Sequence, residues 1–190
     1  LGAVAGTVGW IMVQSGLREI AVLVNPVNLM SHILVATIIV GYVLRVGIEY
    51  LYPKQESAFD KKNRIWFAVL IVLVFIQIGL GALVAGSKAA LVCTTFPLMN
   101  GHYYPSEINF SIADNYEFSV KLMIQFLHRN LAYFIFFFVL FLFFKTRNVA
   151  AQYQYHRSRR LLLGMVLLQV ILGILTLIYS GKVPVILGVV

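Results

Sequence analysis

The fold is decided by residues 121–144, which read KLMIQFLHRNLAYFIFFFVLFLFF. From Leu122 to Phe144 the only basic side chains are His128 and Arg129, and there is no acidic one. A run of about 20 apolar residues is long enough to cross a bilayer as an α-helix. We therefore predict a membrane-spanning helix over 122–144.

The histidine–arginine pair is the most informative feature of this helix. Ionisable side chains are costly in hydrocarbon and are normally kept where they face a cavity, a partner or a cofactor. Gln125 lies one turn before His128, so the two side chains share a face of the helix. We interpret His128 as a metal or haem ligand. The residue types alone leave a second interpretation open, in which His128 only hydrogen-bonds between helices.

Composition places the whole chain in a membrane. Of 190 residues, 61% are hydrophobic and the mean hydropathy is +0.88, whereas soluble domains are roughly half apolar. A net charge of +8 would suggest nucleic acid in a soluble protein. Here the basic residues lie mostly in two loops between apolar runs, which is typical of membrane orientation, so nucleic-acid binding is not expected. The single cysteine, Cys93, excludes a disulfide within this chain and a cysteine-rich metal site.

Separate apolar runs predict an all-α, polytopic membrane helix bundle with five spans and the start of a sixth. The predicted spans are 1–15, 27–46, 65–86, 122–144 and 161–179, and Pro184 opens the sixth. The chain begins inside one apolar run and ends inside another, so we interpret it as an internal segment of a longer protein.

Lysine and arginine counts predict the orientation. Residues 45–64 carry five of them and residues 145–160 carry five, against four in the loops on the opposite side. This bias places 45–64 and 145–160 in the cytoplasm. His32 and His128 then each lie about 8–11 Å from the outer end of a helix, at 1.5 Å per residue. Two intramembrane histidines at similar depth favour the ligand interpretation.

A weak internal repeat supports pseudo-symmetric halves. Residues 77–83, QIGLGAL, resemble residues 169–175, QVILGIL, and residues 5–16 resemble 169–181 more weakly. Repeats in membrane proteins commonly form sites within or between the repeated halves. The alternative is that apolar helices look alike. If the first and fifth spans correspond, Pro26 and Pro184 open equivalent helices, and a histidine equivalent to His32 is expected just past Val190.

Several motifs together resemble the haem A synthase family. They are GWxMVxSGL from Gly9, GALVAG from Gly81, TFPLMxG from Thr95, QFxHRxxAY from Gln125 and LGIxTL from Leu172. The resemblance covers nearly the whole chain in order. The short loops and the single cysteine are similar to the alphaproteobacterial and mitochondrial branch of that family.

The resemblance implies an architecture and an activity. The family has eight spanning helices in two four-helix halves related by a pseudo-two-fold axis. Residues 1–46 would be the last two helices of the N-terminal half, 47–64 a cytoplasmic linker, and 65–190 a truncated C-terminal half. The family oxidises the C8 methyl group of haem O to a formyl group, which gives haem A for cytochrome oxidase. The expected location is the bacterial inner membrane. Haem O synthase is the expected partner, a homo-oligomer is compatible with this architecture, and the electron donor is not specified.

The resemblance also implies roles for three residues. His32 would ligate the substrate haem, haem O, on the catalytic side of the first half. His128 would be an axial ligand of haem b in the second half, with its partner expected after Val190. Arg129 would pair with a haem propionate, and snorkelling of Arg129 to the outer interface is the alternative. The family's functionally important glutamate belongs to a Glu-x-x-His-Arg motif of the first half, which would precede Leu1. At the corresponding place in the second half this chain has Gln125.

Other features bear on these assignments. The family usually has Ser-Pro and then Arg before the histidine that His32 matches, whereas this chain has NPVN at 25–28, which weakens an anion-binding role there. Cys93 is expected to be a small buried or interfacial residue rather than a reactive thiol. Two other function classes stay open: a b-type cytochrome that only transfers electrons, and a membrane transporter.

Overall fold

The computed structural model describes residues 2–16, 24–51, 61–111, 115–147 and 153–180. These ranges contain five α-helices and one short 3₁₀ helix, Ala89–Leu91, and none of their residues belongs to a β-strand. The α-helices are α1 (Gly2–Gly16), α2 (Pro26–Leu51), α3 (Lys61–Gly86), α4 (Tyr116–Lys145) and α5 (Tyr153–Ser180).

The predicted all-α, polytopic membrane architecture is confirmed. Within the described ranges, α2, α3, α4 and α5 contain the four segments that are long and apolar enough to cross a membrane. The predicted first span corresponds to α1, which has 15 described residues. The predicted sixth span begins at Pro184 and lies outside the described residues.

The helices extend beyond the apolar runs from which they were predicted. Helix α2 ends at Leu51 rather than at 46, α4 begins at Tyr116 rather than at 122, and α5 begins at Tyr153 rather than at 161. In two of these extensions, ion pairs link residues one turn apart. Arg45 Nε lies 3.1 Å from Glu49 Oε1, and Lys121 Nζ lies 2.6 Å from Glu117 Oε1. Such pairs stabilise a helix outside hydrocarbon, and an apolar run cannot reveal them.

The chain divides into two compact units, Leu1–Ser87 and Lys88–Val190. In the first unit α1 packs on α2, and α2 packs on α3. The predicted boundary between family halves at 47–64 concerns a longer protein and stays a prediction. Residues 47–51 and 61–64 of that segment are helical, and 52–60 lie outside the described residues.

Glycines let α3 approach α2 closely. A Cβ atom added at Gly86 would lie 2.9 Å from Pro26 Cα, and one added at Gly79 would lie 3.7 Å from side-chain atoms of Met30 and Leu34. Small residues commonly permit this kind of contact between membrane helices. Helix α2 starts at Pro26, where a missing N–H is tolerated, and Asn25 Oδ1 caps it by accepting the Val27 N–H at 2.9 Å.

In the second unit the segment before α4 folds over the start of that helix. We call residues 88–111 the connecting segment. Its core is formed by Cys93 and Met99 packed on Leu122 of α4, surrounded by four partly buried side chains: Val92, Ile108, Phe118 and Phe126. The segment is tied down at Ser119, whose Oγ accepts the Asn109 N–H at 2.9 Å and donates to the Asn109 carbonyl at 3.0 Å.

A tight turn shapes the middle of the connecting segment. Met99 and His102 exchange backbone hydrogen bonds of 2.8 and 3.0 Å around Asn100-Gly101. Asn100 has φ +51° and Gly101 has φ +88°. Two-residue turns of this kind need left-handed backbone at both central positions and therefore favour Asn-Gly. Thr95 Oγ1 accepts the Asn100 N–H at 2.8 Å, which fixes the turn against the segment.

Candidate functional site

The first candidate is His32, which lies on α2 and faces α1. Its imidazole is partly buried and packs against the backbone of α1 at Gly9. A Cβ atom at Gly9 would lie 3.1 Å from His32 Cε1 and 3.4 Å from His32 Nδ1. The Nδ1 atom is buried and has no hydrogen-bond partner among the residues that the structure describes. A buried imidazole nitrogen without a partner is unusual in a structural histidine, because buried polar groups are normally satisfied.

The sequence positions His32 by local rules. Pro26 begins α2, so His32 lies six residues into the helix, about 9 Å along its axis at 1.5 Å per residue. The end of α1 is held near this point, because the Asn25 N–H donates to Ser15 Oγ at 3.4 Å. The start of α2 and the end of α1 therefore lie side by side, and His32 is presented to the preceding turns of α1.

The second candidate lies on α4 and is built around one carbonyl oxygen. Gln125 Nε2 donates to Cys93 O at 2.8 Å, and Arg129 Nη2 donates to the same oxygen at 3.2 Å. Residues four apart lie on one face of a helix, so both side chains reach the connecting segment together. Gln125 is 2% exposed and Arg129 is 9% exposed. The guanidinium is thus buried under the connecting segment rather than extended to an open interface.

These two side chains keep further polar atoms in the interior. Arg129 Nε, Arg129 Nη1 and Gln125 Oε1 are all buried, and none has a hydrogen-bond partner within the described ranges. A buried cation with unused donors is strongly unfavourable unless an anion or a polar group completes its hydrogen bonds. This chemistry fits a carboxylate placed beside Arg129.

Along the sequence of α4, His128 follows Gln125 and directly precedes Arg129. Its side chain is partly buried and its Nδ1 atom is buried. The neighbouring turn is fixed by the connecting segment, since Tyr103 OH donates to Asn130 Oδ1. The Tyr103 and Tyr104 rings also pack edge-on against Phe126, with centroid distances of 5.8 and 5.3 Å. Phe126 and Asn130, which flank His128 along α4, are therefore both held by the connecting segment.

The structure brings some of the predicted residues together and adds one group that the sequence did not reveal. Gln125, His128 and Arg129 share the second unit, while His32 belongs to the first. The predicted burial of Cys93 is confirmed, at 2% exposure. Its role as the shared acceptor was missed, because the acceptor is a main-chain oxygen and no side-chain pattern signals it. The buried thiol donates to Asn100 Oδ1 at 3.4 Å.

The described residues offer single histidines rather than a cluster of metal ligands. Within the part of the chain that is described, no group of three or more His, Cys, Asp or Glu side chains could hold a metal ion. A haem iron takes four ligands from the porphyrin and needs only axial ligands from the protein. Single histidines in separate places are compatible with that requirement.

Taken together, the four candidate spans and the buried polar residues on α4 define a multi-pass helical membrane protein. The family model COX15-CtaA, described as cytochrome oxidase assembly protein, matches residues 1–190, and the chain belongs to this family. The family resemblance of the motifs is thereby confirmed.

Curated relatives are similar along nearly all of the chain. A protein named Heme A synthase from Neorickettsia sennetsu is 36% identical and covers 94% of this chain, which corresponds to 53% of the relative. Proteins of the same name from Flavobacterium psychrophilum and Methylobacterium sp. are 32% and 36% identical, over 100% and 95% of this chain and 56% and 51% of their own lengths. The chain spans about half the length of the curated relatives it matches. No solved structure matches it.

Proposed function

We propose that this chain is part of a haem A synthase, which oxidises the C8 methyl group of haem O to a formyl group for cytochrome oxidase. Family membership and the names of the curated relatives support the activity. The observation that carries the proposal is the buried Arg129, which follows His128 directly and keeps two nitrogens unused beneath the connecting segment.

In the second unit, His128 would be an axial ligand of haem b and Arg129 would meet a propionate. Haem carries two propionate carboxylates at the edge of its porphyrin, so an imidazole could hold the iron while a cation holds a propionate. Arg129 Nη2 is already held by Cys93 O, which leaves Nε and Nη1 for the carboxylate. A hydrogen bond between ionised groups is about twice as strong as a neutral one, and it would remove the penalty of the unused donors.

In the first unit, His32 would ligate the substrate, haem O. Its ring is packed against α1 at Gly9, so its orientation is set by a neighbouring helix. The buried Nδ1 lies against α1 beside Gly9, so Nε2 would be the nitrogen that ligates the iron. Residues 25–28 lack the Ser-Pro and Arg that the family usually has there, which weakens anion binding at this place. The first unit would therefore contact the iron of the substrate haem and not its carboxylates.

The protein's own contribution is positioning. When bound, haem supplies the redox chemistry, and the protein supplies orientation and environment. Gln125 carries an amide and cannot take up a proton as a carboxylate would, so general-base chemistry is not assigned to this helix. Gln125 and Arg129 instead donate hydrogen bonds to the same acceptor, the Cys93 carbonyl, which fixes the position of both side chains.

Location and partners follow from the same proposal. Residues 45–64 and 145–160 would face the cytoplasm from a bacterial inner membrane, because these segments hold most of the lysines and arginines. A haem O synthase would supply the substrate. Membrane lipid would surround the exposed apolar helix faces. A homo-oligomer is compatible with the proposal, and the electron donor is not specified by it.

The activity can be tested in a host that lacks its own enzyme. The intact protein is expressed with a haem O source, and extracted haems are separated to detect haem A. Haem A formation supports the proposal. Bound haem without haem A would favour a b-type cytochrome, and purified intact protein without a Soret band would favour a transporter.

The haem b assignment is tested by His128→Ala, with His102→Ala as the control because His102 lies exposed in the connecting segment. Loss of haem b in the first variant alone is expected, and equal haem content in both contradicts the ligand assignment. Arg129→Gln should weaken haem retention about tenfold or more, since truncating one partner of a buried charge pair is costly. Arg147→Gln, at an exposed arginine just past the end of α4, is its matched control.

A further inference from the structure

A side chain at Gly9 would meet α2, which is not the case at Gly2 or Gly6 of the same helix. A Cβ atom added at Gly9 would meet two heavy atoms within 4 Å, and both belong to the His32 ring. Cβ atoms added at Gly2 and Gly6 would meet nothing within that distance. Gly9 therefore faces α2, while Gly2 and Gly6 face open space.

The contact also differs from ordinary glycine packing between helices. At Gly86 an added Cβ would strike the Pro26 backbone, at 2.9 Å from its Cα. That glycine sets the distance between two helices. At Gly9 the nearest atoms are Cε1 and Nδ1 of an imidazole, at 3.1 and 3.4 Å, and no backbone atom of α2 lies as close. The space left at Gly9 is occupied by the histidine ring itself.

We infer that Gly9 is a positioning residue for His32, and that its missing side chain sets the orientation in which the imidazole is presented to haem. This inference rests on the proposed function, because it assumes that His32 ligates the substrate haem. Cε1 lies between the two ring nitrogens, so pushing that atom away from α1 turns both nitrogens. A contact of 3.1 Å is tighter than the usual carbon–carbon separation of about 3.5–4.0 Å. An added methyl group must therefore rotate or displace the ring by a few tenths of an ångström or more.

A ligand histidine is sensitive to such a change. The groups that orient a metal-bound imidazole typically alter metal affinity or activity about 10–100-fold when they are mutated. In this protein the orienting group on the α1 side is a stretch of backbone without a side chain. We expect Gly9→Ala to change the axial ligation of the haem at His32 while leaving the haem at His128 unchanged.

The test compares Gly9→Ala with Gly6→Ala in the intact protein, purified with its haem. Electron paramagnetic resonance of the ferric state reads the axial geometry of each haem, and the two signals are assigned with His32→Ala and His128→Ala. The expected result is a shifted or high-spin signal at the His32 haem in Gly9→Ala, with about tenfold weaker retention of haem O. Gly6→Ala should match the unsubstituted protein.

Three results would contradict either the positioning role of Gly9 or the ligand role of His32. If Gly9→Ala gives the same spectrum as Gly6→Ala, the positioning role is wrong even though His32 ligates haem. If Gly9→Ala loses both haem signals together, a general packing role explains the glycine and the inference is overturned. If His32→Ala changes no haem signal, the failure belongs to the proposed function, because His32 is then not a ligand at all.

Discussion

Replacing Ser119 by alanine should release the connecting segment from α4. Ser119 is 0% exposed, and its hydroxyl both accepts from and donates to the Asn109 backbone, at 2.9 and 3.0 Å. The substitution removes one oxygen atom and leaves almost no cavity, so the loss of these two bonds dominates. Each buried hydrogen bond contributes about 0.5–1.5 kcal/mol net, which gives about 2 kcal/mol for the pair.

Cys93 provides the assay. Its thiol is buried in the cluster that includes Ile108, the residue before Asn109. A thiol reagent therefore reacts only when the segment opens, and the labelling rate follows the open population. With 1.36 kcal/mol per factor of ten, a loss of about 2 kcal/mol raises the rate about 30-fold. The rate is read by mass spectrometry of the peptide that contains Cys93.

A serine in the same segment supplies the control. Ser106 is exposed and its hydroxyl makes one long contact, 3.5 Å, to Glu107 Oε2. Ser106→Ala should therefore leave the labelling rate of Cys93 close to that of the unsubstituted protein. If Ser119→Ala raises the rate no more than Ser106→Ala does, the hydroxyl does not hold the segment in place.

Three further substitutions test the packing and the connecting segment. Gly86→Ala should destabilise the α2–α3 contact by about 1–3 kcal/mol through overpacking, whereas Gly41→Ala, which points into open space, should not lower the thermal midpoint. The Asn100 amide donates to Glu107 at 3.0 Å and holds the pKa of that carboxyl below its usual value. The ionised carboxylate therefore stabilises the fold at pH values above its unfolded pKa. The unsubstituted protein should have a higher thermal midpoint than Glu107→Gln at those pH values, and this difference should disappear as the pH falls through the lowered pKa. Gly101→Ala should cost about 1–2 kcal/mol because its backbone is left-handed, and an unchanged rate of thiol labelling would contradict that strain.

The membrane helices could be predicted well from the sequence, except at their ends. The run from Leu122 to Phe144 identified the interior of α4, because hydrocarbon selects apolar residues over a fixed length. The first turn of α4 was missed because Glu117 and Lys121 are polar, and a helix outside hydrocarbon can be stabilised by their ion pair. Apolar runs indicate which residues lie in the hydrocarbon of the bilayer, whereas hydrogen bonds and ion pairs determine where a helix begins and ends.

No helix was predicted between the third and fourth spans, and the fold of the connecting segment in that interval depends on main-chain atoms. The Asn100-Gly101 pair is a recognised turn signal that could have located the hairpin. The attachment of Asn109 to Ser119 and the use of Cys93 O could not be read in this way. Both depend on backbone groups, which every residue carries, so no residue type marks them.

The candidate site was predicted in part. The pattern placed Gln125 and His128 on one face of a helix, and the structure adds the carbonyl that binds Gln125 and Arg129 together. For His32, the apolar run predicted the helix and the position along it. The contact with Gly9 depends on which face of α1 meets α2, and an α1 sequence that is apolar all round does not specify that face.

The shared carbonyl has a consequence for biogenesis. Arginine at the centre of an inserting helix costs about 2.5–3.5 kcal/mol, and Arg129 must pass through that stage. The oxygen that receives it belongs to residue 93, which is translated before α4. The acceptor can thus be in place when the arginine arrives, and an insertion pathway that delays folding of residues 88–111 would leave the nascent helix with an unshielded cation.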